Sequence, residues 1–167
     1  QSKAMQAILS KMYYKTYGHQ TIITASGNVF SERQSIPNVI PNFIKAALNN
    51  QDLIIHGTGK QTREMYHIDN LTDGYIKLIE TPNLGGELFN FGADNEMSVN
   101  DIAKKVLELI PESKSKIKYI NDTKLNAMDR MAIDIKKVQK MLDYKVKVNF
   151  EDGLKRTIET YRENDLK

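Results

Sequence analysis

Gly57-Thr58-Gly59-Lys60-Gln61-Thr62-Arg63-Glu64-Met65-Tyr66-His67-Ile68 is the stretch whose reading decides the fold. A dinucleotide-binding domain needs a glycine-rich turn between its first strand and helix, so that backbone amides can approach a pyrophosphate. Here the glycines have extended segments on both sides, Asp52 to His56 before them and Thr62 to Ile68 after. The spacing predicts a hairpin turn between two strands rather than a phosphate loop. The chain alone is therefore expected to hold a dinucleotide poorly.

Working outward, Leu71 to Glu80 reads as a helix with Leu71, Tyr75, Leu78 and Ile79 on one side. Upstream, Val39, Ile40, Phe43, Ile44, Ala47 and Leu48 recur at helical spacing, and Pro41 is tolerated in a first turn. Thr21 to Ser26 is short, β-branched and apolar, a buried strand followed by a polar loop from Gly27 to Ile36. Gln1 to about Tyr17 reads as a helix with Ala4, Ala7, Ile8 and Met12 spaced for a buried face, and Gly18 stops it.

Downstream, Glu87 to Phe91 is a strand, and Ser98 to Asp101 resembles a capping box opening a helix to Ile110. Lys116 to Ile120 alternates charged and apolar residues like a half-exposed strand. Asp134 to Leu142 is a short helix, and a last helix from near Asn149 turns Phe150, Leu154, Ile158 and Tyr161 inward. Helices and short strands alternate without repeat or long linker. The expected fold class is α/β, one lobe over residues 1–167.

At 167 residues and 40% hydrophobic, the chain suits one compact domain or one lobe of a larger enzyme. It has no Cys, so disulfide stapling and Cys-ligated zinc are excluded, and a cytoplasmic setting fits. The three His, at 19, 56 and 67, form no metal-binding spacing, and no metal is expected. No apolar run approaches the ~20 residues that span a bilayer, and the first residues lack a signal-peptide pattern. The formal charge is only +3, with Lys scattered among Asp and Glu, so neither nucleic acid nor membrane is an expected partner. Arg33, Arg156 and Arg162 read as solvated surface.

Taken in order, Gln1-Ser2-Lys3, Tyr17-Gly18, Ser26-Gly27-Asn28-Val29-Phe30, Val39-Ile40-Pro41, Gly57 to Arg63 and Ile68-Asp69-Asn70 resemble the extended short-chain dehydrogenase/reductase family. The similarity runs from Gln1 to about Asn164. Within the family it is greatest to nucleotide-sugar 4,6-dehydratases and 4-epimerases. The resemblance implies the carboxy-terminal substrate-binding lobe, with the last Rossmann helices and strands. On that resemblance the dinucleotide-binding part, which would hold most of the NAD, would lie upstream of Gln1.

Residue by residue, Lys3 matches the lysine of the family's Tyr-x-x-x-Lys pair, which lowers the tyrosine pKa and binds the nicotinamide ribose; otherwise it is an exposed lysine. Asn28 matches an Asn contacting the nucleotide sugar, although Phe30-Ser31 replaces Tyr-Gly and Ala25 replaces an Arg; alternatively it turns the chain. Asn38 and Val39 open a helix whose amino terminus is implied to meet the base or diphosphate, as unpaired amides favour an anion.

Arg63 matches an arginine that grips the diphosphate with its planar fork, with Glu64 where Asp is usual; a pairing with Glu64 or Asp69 is the alternative. Asn95-Glu96 resembles a loop bordering the nucleotide. Asp129 to Asp134 resembles a stretch in which Arg130 would be a second phosphate ligand, with Met131 where Tyr is expected. A charge beside an Asp134 cap is the other reading of Arg130.

These matches imply the nucleotide-sugar-binding portion of an NAD-dependent NDP-hexose 4,6-dehydratase, forming a homodimer at full length. A 4-epimerase, a UDP-glucuronate decarboxylase and a non-catalytic sugar-nucleotide module are the alternatives.

Overall fold

The computed structural model describes residues 2–34, 37–121 and 129–165. Gln1 and Ile36, where a predicted helix begins and a predicted loop ends, lie outside them. The fold is α/β, as expected, and three sets of strands organise it.

Strand β4 (Thr62–His67) is the hub. Its second half pairs in parallel with β2 (Asn28–Phe30), placing Asn28 opposite Met65. Its first half pairs in parallel with β8 (Arg130–Met131) and antiparallel with β6 (Glu96–Ser98). Strand β3 (Leu53–His56) pairs in parallel with β7 (Ile117–Ile120), and β1 (Ile23–Ser26) with β5 (Leu88–Phe91).

The predicted hairpin is therefore corrected. Strands β3 and β4 flank Gly57-Thr58-Gly59 but belong to different sheets. The turn is held by neighbours instead: Asn100 donates through Nδ2 to the Thr58 carbonyl and through its backbone N–H to that of Gly59. A Cβ on Gly59 would lie 2.1 Å from the Asn100 Oδ1, so the close approach demands glycine. The predicted loop from Gly27 also differs, since Asn28 begins β2.

Helices α2 (Val39–Leu48), α4 (Val99–Leu109) and α6 (Phe150–Asp165) enclose the larger core with β3, burying Ile40, Ile44, Leu53, Ile102, Val106 and Leu154. The capping box that opens α4 forms as predicted, with Ser98 and Asp101 exchanging side-chain and backbone bonds. A second core gathers Leu78 of α3 (Ile68–Glu80), Phe89 and Phe91 of β5, and Val138 and Leu142 of α5 (Lys136–Leu142).

Two predicted faces differ. On α3 the buried residues are Asn70, Gly74 and Leu78, while Ile79 is 84% exposed and Tyr75 is also exposed. On α1 (Ser2–Tyr17) no residue is buried; Ile8 and Met12 face outward. Apolar periodicity gives helix phase, but burial needs an opposing surface, and the described residues do not cover Ile8, Met12 or Ile79.

Candidate functional site

Side chains alternate across a strand with a period of two. In β4 that puts Arg63 and Met65 on one face and Thr62 and Glu64 on the other. Ladder register extends the division: Asn28 stands opposite Met65, and Met131 opposite Arg63. The Asn28 Nδ2 donates to the Glu64 carbonyl at 3.3 Å and lies 3.6 Å from the Met131 Sδ, so the asparagine is fixed across the strands. Arg63 donates from Nη1 to the carbonyl of Thr62 at 2.6 Å.

This face opens into a cavity of about 1040 Å³. Asn28, Arg63 and Gln34 line it, together with Asn38 and Val39 where α2 begins. Asn38 occupies the N-cap position, but its side chain makes no capping bond. The first N–H groups of a helix have no intrahelical acceptor, so this end of the cavity favours negative charge. Along α2 and β3 the cavity continues past Asn42, Lys45, Ile54 and His56. Asp52 at that end is held below the usual carboxylate range, first by its bond to Lys118 and then by the Lys116 backbone N–H.

Four sequence-predicted residues thus meet: Asn28, Asn38, Val39 and Arg63. The other three do not join them. Arg130 faces away from Arg63 in the ladder, with Nε and Nη2 both on the Glu96 carboxylate, the shortest contact being 2.7 Å. The Arg130 and Thr62 bonds hold the Glu96 carboxyl below its ordinary range. Asn95 lines a separate hollow beside the start of α6. Lys3 lies exposed on α1.

Sequence reading missed Glu64, which is 2% exposed. Its Oε1 accepts from the backbone N–H groups of Ala93 and Asp94, and its Oε2 accepts from that of Ile133 at 2.9 Å. The carboxylate thereby stitches β4 to the turn after β5 and to the segment after β8. A Cβ on Gly92 would lie 2.1 Å from Oε1, so the glycine leaves room for it. Nearby, the Tyr144 hydroxyl donates to the Gly92 carbonyl, and burial pushes that phenol up to about 12.

Arg156 is exposed, as expected, but it is not merely solvated. It bonds both Glu32 and Asp69, the latter at 2.7 Å, and Arg162 bonds Glu112. Both ties join residues far apart in sequence, so local pattern gave no signal of them.

Among the described residues no set of three His, Asp or Glu side chains is arranged to hold a metal ion. No glycine-rich turn joins a strand to a helix among them either, and Gly59 is packed against Asn100. No helix of the described residues is long and apolar enough to cross a membrane.

A family profile for GDP-mannose 4,6 dehydratase matches residues 1–157. The human dTDP-D-glucose 4,6-dehydratase is 34% identical over 98% of the chain, which spans 47% of that relative. Among solved structures, an epimerase from Methanothermobacter thermautotrophicus aligns with a TM-score of 0.90 at 28% identity, over 98% of this chain and 49% of that one. A dTDP-glucose 4,6-dehydratase from Streptomyces venezuelae, with NAD and TDP bound, aligns with a TM-score of 0.89 at 29% identity, over 98% and 50%. The chain spans about half the length of the curated relatives it matches, consistent with the carboxy-terminal portion of an extended short-chain dehydrogenase/reductase.

Proposed function

Since the chain belongs to the GDP-mannose 4,6 dehydratase family, we propose that it is the nucleotide-sugar-binding portion of an NAD-dependent NDP-hexose 4,6-dehydratase. The observation that supports this reading is the convergence of Asn28, Arg63 and the start of α2 on one cavity. Arg63 would donate to the diphosphate, the α2 amides would take a second anionic oxygen, and Asn28 would meet the sugar. The cavity suits a ligand of that size, as such sites span about 300–1,000 Å³.

In the intact protein, Lys3 would serve the tyrosine of a Tyr-x-x-x-Lys pair, and the remainder of the enzyme would carry the NAD. Homodimerisation and a cytoplasmic location belong to the same proposal. Asn95 and Arg130 enter it only at the margin, because they stand apart from the cavity. An epimerase, a 4-epimerase by the resemblance, is the second reading, since the Methanothermobacter epimerase aligns as well as the dehydratases do.

Calorimetric titration of this chain with dTDP-, UDP-, CDP- and GDP-sugars tests the binding claim. One sugar nucleotide should bind, and Arg63→Ala should weaken it about 10- to 100-fold, the loss of one charge-assisted bond. Undiminished affinity in Arg63→Ala, or no binding of any of them, overturns the reading. The chain alone should turn over none of them in a coupled assay.

A further inference from the structure

The cavity wall between β2 and α2 includes Gln34, and that residue is held from the far side of the molecule. Glu32 accepts from Arg156 of α6 at 3.0 Å and from the buried His67 Nε2 at 3.2 Å. Arg156 also bonds Asp69, at the start of α3, so its guanidinium ties the loop to a second element. One turn further along α6, the Tyr161 hydroxyl donates to the Gln34 carbonyl. The Gln34 side chain then bonds the Val29 carbonyl at 3.0 Å, and its N–H bonds that of Ser31.

We infer that α6 is a positioning strut: Arg156 and Tyr161 hold residues 31–34 so that Gln34 stays in place in the cavity wall, and ligand affinity thereby depends on a helix that does not line the cavity. This rests on the nucleotide-sugar reading of the cavity. The arrangement has the features positioning requires. His67 is wholly buried between Phe30 and Gly153, giving Glu32 a rigid second partner. The two tethers on α6 lie five residues apart and take hold at two points of one short loop. Among the described residues, the other bonds of residues 31–34 are those with each other and with Val29, together with Glu32 on His67.

The test compares Arg156→Met, Tyr161→Phe and Arg156→Lys with Arg162→Met, which removes an ion pair from the same helix but not from the loop. Amide exchange is measured residue by residue, and affinity by calorimetry with dTDP-glucose and UDP-glucose as probes. Arg156→Met and Tyr161→Phe should speed exchange at Glu32 to Gln34 about tenfold while leaving β3 and β5 unchanged. They should also weaken the bound probe about tenfold. Arg156→Lys should recover part of both effects, and Arg162→Met should show neither.

Unchanged exchange at Glu32 to Gln34, or an equal rise with Arg162→Met, overturns the strut. So does faster local exchange with unaltered probe affinity. Should neither probe bind the parent chain, the nucleotide-sugar reading fails, and the role of α6 in affinity falls with it. The exchange result then separates a loop that is tethered from one that is not.

Discussion

Helices α1 and α6 are equal in length, 16 residues each, yet they meet opposite fates. Helix α6 buries Leu154 and Ile158 against α2, α4 and β4 and anchors a loop of the cavity. Helix α1 buries nothing, and Met5, Ile8, Leu9 and Met12 are more than half exposed. Amphipathic phase is a property of a sequence, whereas burial is a property of a pair of surfaces. The neighbouring β1 repeats the lesson: among the described residues it pairs only with β5, and three of its four residues are exposed.

Substitutions at buried and at exposed positions break or sharpen the contrast. Leu154→Ala removes a fully buried side chain from the larger core and should cost about 2–5 kcal/mol by chemical denaturation. Glu64→Gln replaces a carboxylate that accepts three backbone N–H groups and should cost about 2 kcal/mol, with loosening of the Gly92 turn in amide exchange.

The α6 tether gives a smaller, pH-dependent effect. Burial raises the Glu32 carboxyl, but its own backbone N–H, His67 and Arg156 outweigh that and hold it below the ordinary 4.5. A lowered folded value stabilises above the unfolded value and loses that stabilisation as pH falls through the folded one. The difference between the parent and Arg156→Met, under about 1 kcal/mol because Arg156 is nearly half exposed, should therefore be full near pH 6 and shrink below pH ~4.5 in pH-jump melts. At the bottom of the scale, Ile8→Ser on α1 should change stability by less than about 0.5 kcal/mol. A cost like that of Leu154→Ala would mean that the Ile8 face of α1 packs against something within this chain.

What the sequence disclosed follows from the range of the forces involved. Helices α2, α4 and α6 were legible because caps and apolar spacing act over a turn or two. Strands β6 and β8 were not, being three and two residues long and formed only by pairing with β4. Family resemblance singled out Asn28, Asn38, Val39 and Arg63, and the fold brings them to one cavity. It grouped Arg130 with Arg63 as well, but ladder alternation turns the two side chains to opposite faces. The ties made by Glu64 and Arg156 escaped notice because their partners lie elsewhere in the chain, Glu32 being 124 residues from Arg156.

The gap at Gly92 and the reach of Glu64 amount to a single shared volume, divided between two distant positions. A methyl group at 92 would claim space that the acid already occupies, and it can be accommodated only if position 64 gives up a carbon. Gly92→Ala should thus be far more harmful beside glutamate than beside aspartate. Among proteins of this shape the two positions should change together, with the longer acid accompanied by the smaller neighbour.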